Sequence, residues 1–222
     1  MKQRDTISVR DGVGRVSDLI HNELAVVADN GLHNDYRVNY DLVNSKAYHD
    51  KFEGMTEHRA VDEGLYRRSA QMLEHRSGSP YEDIAMLDAR TGEVLMENTS
   101  AAGGAEFQSG LTNDQSEELN AMGRQFEILH NHPNSTPPSR DDIKWLYKRT
   151  LATASNVACH DGTIHRMKKL KPYPNIEELI SRVYSQIRKI HHNWDEEAIE
   201  YKVSIQLIEI LQRQRYMRYS KR

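Results

Sequence analysis

The strongest chemistry in this chain belongs to the short run from Leu129 to Ile143. His130 and His132 are two residues apart and follow the apolar segment Phe126–Leu129. If that segment is a strand, side chains alternate across it, so both imidazoles project to one face. Pro133 ends the ladder because it has no N–H to donate. Ser139 is suited to cap the next helix, which puts Asp142 in its first turn. A loop that folds back brings the Asp142 carboxylate toward both imidazoles. Two imidazoles and one carboxylate, with a fourth position open, are the ligand set of a catalytic zinc site. Zinc lowers the pKa of water from about 16 to about 7 and polarises a carbonyl. Such a site also needs a carboxylate near the metal, though not on it, to take the proton. Glu82, just before the apolar run Ile84–Leu87, is the leading candidate, with Glu93, Glu97 and Glu127 behind it. Glu127 is odd-spaced from His130 and points to the opposite face. Asp141 is the alternative to Asp142. Ser139 with an acidic residue three positions on is also an ordinary capping box. The two roles are compatible if Asp142 turns toward the metal.

The order Glu82, His130-x-His132-Pro133, Ser139-x-x-Asp142 resembles the JAMM (MPN+) metalloprotease motif. The wording around it, His130-Asn131-His132-Pro133 and Pro138-Ser139-Arg140-Asp141-Asp142-Ile143, is similar to the bacterial RadC-like and JAB branches. So are Val157–Thr163 and the lead-in Met72–Asp83, a combination that resembles JAB-type proteins of prophages and mobile elements. The similarity covers roughly residues 45–171. Six residues separate His132 from Ser139 where the family pattern has seven. The resemblance implies an α/β fold, a mixed β-sheet flanked by helices in three layers. It implies that His130, His132 and Asp142 hold Zn2+, that Glu82 is general base and then acid, and that Ser139 hydrogen-bonds the oxyanion. The reaction it implies is hydrolysis of a peptide or isopeptide bond, in some members at the C-terminus of a ubiquitin-like protein.

These residues need elements to hold them. Ser45 or Asn44 can cap a short helix through Tyr48 and Phe52. Thr56 opens a longer helix to about His75, with Val61, Leu65, Met72 and Leu73 on one face. Ile84–Leu87 and Glu93–Met96 form a hairpin around Asp88–Gly92. Thr112 and Gln115 form a capping box, and Gly123 ends that helix. A helix runs from Arg140 through Ile143, Leu146 and Tyr147. Asn156–Cys159 and Thr163–Met167 pair around Asp161-Gly162. Residues 173–222 read as a C-terminal helical hairpin. One helix is led by Leu179, Ile180, Val183 and Ile187, and the second by Ile199, Val203, Leu207 and Leu211. The basic end, Arg213 to Arg222, reads as a solvated helix end. His160 and His165 read as hairpin-surface residues, and Cys159 as a small buried residue. Residues 1–44 are hard to assign beyond a short strand at Leu24–Ala28.

Composition bounds the rest. The chain has 222 residues, 37% hydrophobic and 28% charged. A mean hydropathy of -0.79 and the absence of a long apolar run exclude a transmembrane helix. Met1–Asp5 lead into no apolar stretch of a secretory signal, so a cytoplasmic protein is expected. A single cysteine excludes an internal disulfide and a cysteine-based zinc site. A net charge of -3 argues against general nucleic-acid binding. His130-Asn131-His132 is not an HNH nuclease motif, which spreads its His and Asn over a ββα unit. The partner that the resemblance implies is a protein or peptide substrate, with a ubiquitin-like protein as one form of it. The alternatives are a non-catalytic MPN-like binding module and a RadC-like DNA-associated factor.

Overall fold

The computed structural model describes residues 35–100 and 106–222. The strand expected at Leu24–Ala28 lies outside them. Residues Asp35–Arg222 form one compact unit. The described elements are α1 (Tyr40–Val43), α2 (Lys46–Asp50), α3 (Arg59–Arg76), β1 (Ile84–Asp88), β2 (Val94–Asn98), α4 (Asn113–Ala121), β3 (Phe126–His132), α5 (Arg140–Lys148), β4 (Ala152–Cys159), β5 (Ile164–Lys169), α6 (Ile176–Ile190), α7 (Glu196–Arg213) and β6 (Met217–Lys221).

The strands form one sheet in the order β2-β1-β3-β4-β5-β6. Every neighbouring pair is antiparallel except β3 and β4, which are parallel and joined through α5. The architecture is thus α/β, a mixed sheet with helices on both faces. Alternation along the strands sorts the core into two halves. Ile84 and Met86 of β1 and Phe126 and Ile128 of β3 pack with α5, α6 and α7. Ala85, Leu87 and Leu129 pack on the other face with Val61, Leu65, Met72 and Leu73 of α3. β3 is buried along its whole length. A strand covered on both faces is the stiffest support available for a site.

Local chemistry explains most boundaries. Ser45 caps α2, Thr112 and Gln115 form the expected capping box at α4, and Asn175 and Asp195 cap the two C-terminal helices. Four expectations change. α3 begins at Arg59 rather than Thr56, because the Thr56 hydroxyl donates to the His58 carbonyl and the Asp62 carboxylate takes the Gly54 and Thr56 N–H groups. Those bonds hold residues 54–58 in a turn. The basic end is not a solvated helix terminus: residues 217–221 form β6, paired to β5 with Met217 in the core. Residues 173–222, read as an extension, also feed the main core through Leu179, Val183, Ile199, Val203 and Leu207. Finally, His160 and His165 are buried, not surface residues, because β6 and the 35–38 segment cover their hairpin.

One close approach seats α3. A Cβ at Gly64 would collide with the Gly92 carbonyl oxygen, in the β1–β2 turn. Gly92 itself has φ +71°, the left-handed region that favours glycine.

Candidate metal centre

β3 delivers the two histidines as strand alternation requires. His130 and His132 are both buried and face the α5 side of the sheet, as Ile128 does. Their Nε2 atoms stand 3.1 Å apart. α5 delivers the third group. Ser139 is its N-cap and Asp142 its third residue, in a complete capping box. The Ser139 N–H and hydroxyl donate to Asp142 Oδ2 at 2.6 and 2.8 Å, and the Asp142 N–H donates to Ser139 Oγ at 3.1 Å. Asp142 still reaches the histidines: Oδ1 is 3.1 Å from His130 Nε2, and Oδ2 is 3.4 Å from His132 Nε2. Two ligand atoms on a tetrahedral zinc lie about 3.3 Å from each other. The capping bonds thus leave the Asp142 carboxylate within reach of both imidazoles, at a spacing compatible with one small cation.

Glu82 joins the group from the segment just before β1. Ile84 pairs with His130, so the alternation carries Glu82 to the same face two residues earlier. Its carboxylate is buried, and it forms with the two imidazoles a group whose ligand atoms lie within 4.8 Å of one another. This group could hold a metal ion. The other carboxylates considered go elsewhere. Glu127 is on the opposite face, bound by Arg166. Glu97 pairs with Arg68, Glu93 lies beside Arg124 and is largely exposed, and Asp141 is exposed.

The electrostatics of the group are set by burial and by the charges the four side chains present to one another. Burial pushes the Glu82 carboxyl above its usual range, the two imidazoles oppose this, and Asp142 adds to it. Burial would also raise Asp142, but the two imidazoles overcome it and hold that carboxyl well below the usual carboxylate range. Burial would lower His132. The hydrogen bond to Asp142, the charges of Glu82 and Asp142 and the Thr136 carbonyl instead lift it to about 9. Without a metal, these carboxylates draw a proton onto the imidazole.

The second ring nitrogens differ. His132 Nδ1 donates to the Thr136 carbonyl at 2.9 Å, which leaves Nε2 free to act as a ligand. His130 Nδ1 is buried and has no hydrogen-bond partner among the described residues. Three contributors escape sequence reasoning: Thr136 behind His132, Ser109 hydrogen-bonded to Glu82, and Asn131. Thr136 and Ser109 lie in loops whose course no periodicity reveals. Asn131 had a signal, since its position between the histidines sends it to the opposite face. Cys159 is buried, and burial pushes its thiol far up, as expected of a packing residue. A separate cleft of about 450 Å3 beside the start of α3, lined by His49, Phe52, Glu53 and Asp62 among others, contains none of the expected site residues.

No helix among the described residues is long and apolar enough to cross a membrane. A scan of protein-family models and searches of curated proteins and of solved structures found no match to this chain.

Proposed function

We propose that the chain is a zinc-dependent JAMM-type hydrolase of peptide or isopeptide bonds, with the C-terminus of a ubiquitin-like protein as one candidate substrate. The observation that carries this reading is the convergence of His130 Nε2, His132 Nε2 and the Asp142 carboxylate at 3.1–3.4 Å, with the Glu82 carboxylate buried beside them. His130, His132 and Asp142 would hold the zinc. The ion would supply Lewis acidity toward the scissile carbonyl and acidify water.

Glu82 is built to carry a proton. Its burial raises its proton affinity, the direction a general base needs, and its carboxylate stands beside the two imidazoles. Glu82 would take the water proton and return it to the departing amine. Ser139 is exposed, and its hydroxyl orients Asp142 in the resting site. The oxyanion role implied by the resemblance requires that hydroxyl to turn to the substrate.

Purified protein should hold one zinc per chain, and the double variant His130→Ala/His132→Ala should hold none. Glu82→Gln should retain the zinc and lose hydrolysis of ubiquitin-like fusions or library peptides that the wild type cleaves. Stoichiometric zinc in the double variant moves the site elsewhere, and full activity in Glu82→Gln removes that residue as base.

A further inference from the structure

The ladder between β1 and β3 ends at Ile84 opposite His130, so Glu82 lies beyond the last paired residue of its strand. Its segment is held in another way. Asn131 sits between the two histidines with its side chain fully buried on the other face of the sheet. Its Oδ1 accepts the Asp83 N–H at 2.8 Å, and its Nδ2 donates to the Tyr81 carbonyl at 3.2 Å. A backbone N–H can only donate and a carbonyl only accept, so these two contacts fix which way the carboxamide faces. The second Nδ2 hydrogen goes to His160 Nε2 at 3.1 Å, and His160 Nδ1 donates to the Tyr36 carbonyl at 2.7 Å. The Asp83 carboxylate is gripped separately by Arg76 Nε at 2.6 Å and His75 Nδ1 at 2.7 Å. Every polar atom of the Asn131 side chain is used, and two of its three contacts are to the residues flanking Glu82.

We propose that Asn131 is a positioning residue: its carboxamide replaces the missing ladder around Glu82 and sets that carboxylate beside His130 and His132. The inference rests on the reading of Glu82 as proton carrier. Asn131 touches neither metal nor substrate. It acts by joining the strand that carries the histidines to the segment that carries the base, so both move as one body. Misplacing a reacting group by about 1 Å costs up to about 100-fold in rate.

The test uses full-length Asn131→Ala and the milder Asn131→Ser, with Leu207→Ala, a buried core residue of α7, as a control for lost stability. In crystals grown with zinc, both Asn131 variants should keep the histidine and aspartate geometry. Their Glu82 carboxylate should leave the 4.8 Å group it forms with the imidazoles. On a ubiquitin-like fusion or peptide cleaved by the wild type, kcat should fall about 10- to 100-fold with KM within about twofold. Leu207→Ala should leave kcat unchanged. In a Glu82→Gln background, Asn131→Ala should slow the residual rate no further. A Glu82 carboxylate that stays in place in both variants overturns the proposal. So does an equal slowing in the Glu82→Gln background. If the wild type cleaves nothing, the hydrolase reading falls, and the crystal comparison alone decides whether Asn131 positions Glu82.

Discussion

At the scale of single residues, Ser139 and His165 make separable predictions. Ser139 both caps α5 and fixes the Asp142 carboxylate. Ser139→Ala should lose about 1 kcal/mol of stability from the cap. It should weaken zinc about tenfold in a chelator competition by freeing Asp142. If its hydroxyl also serves the oxyanion, kcat should fall about 100-fold beyond that, at saturating zinc. Unchanged zinc affinity and unchanged kcat would remove Ser139 from the site. His165 is buried under β6 with its ring stacked on Tyr219, whose hydroxyl is 2.7 Å from Nδ1. Burial, with the Lys221 and His132 charges, pushes it down to about 3. The fold therefore prefers the neutral ring, and the unfolded chain takes up the proton first as pH falls. The contribution of His165 is complete above pH about 6.5 and is lost at about 1.4 kcal/mol per pH unit toward pH 3. Urea unfolding at pH 6.5 and 5 should show wild type losing about 2 kcal/mol more than His165→Gln. Parallel losses would show that the ring is not held neutral.

At the scale of elements, what could be read from the sequence was what depends on near neighbours. Strand alternation puts His130 and His132 on one face whatever the rest of the fold does. The Ser139–Asp142 spacing defines a cap by itself. The hairpins and the α3 stripe follow from period and turn residues. What escaped depends on distant partners. β6 reads Met217-Arg218-Tyr219-Ser220-Lys221, too polar to suggest a strand, and forms because β5 offers an open edge. The charged β5 residue Arg166 is buried because Glu127, 39 residues away, meets it across the sheet. Asn131 and Ser109 act on Glu82 through contacts spanning tens of residues. The seating of α3 was equally hidden, since it needs Gly64 to meet Gly92. Gly64→Ala should push α3 off the β1–β2 turn and cost about 1–3 kcal/mol in thermal or urea unfolding, despite alanine's better helix propensity. A stabilised variant would mean the contact yields freely.

At the scale of the whole molecule, the sheet separates two jobs. Its α5 face carries the histidines, Glu82 and Asp142. Its α3 face carries Asn131, Asp83 and the Glu127–Arg166–Asn156 network that brace the same strands from behind. The C-terminal helices pack against the start of α5: Arg140 pairs with Glu200 of α7 at 2.9 Å and lies over the Tyr184 ring of α6. Deleting residues 217–222 should expose the β5 edge and the Met217 pocket. The shortened chain should unfold at lower urea by at least about 2 kcal/mol, the worth of one buried methionine. Equal stability would show that β6 is an ornament of the sheet.

The central claim is a single zinc ion held by His130, His132 and Asp142. Anomalous diffraction at the zinc edge, from crystals of the full chain grown with zinc, tests it most directly. One strong peak is expected about 2.0–2.2 Å from His130 Nε2, His132 Nε2 and an Asp142 oxygen. A peak elsewhere, or no peak among those three side chains, would contradict it.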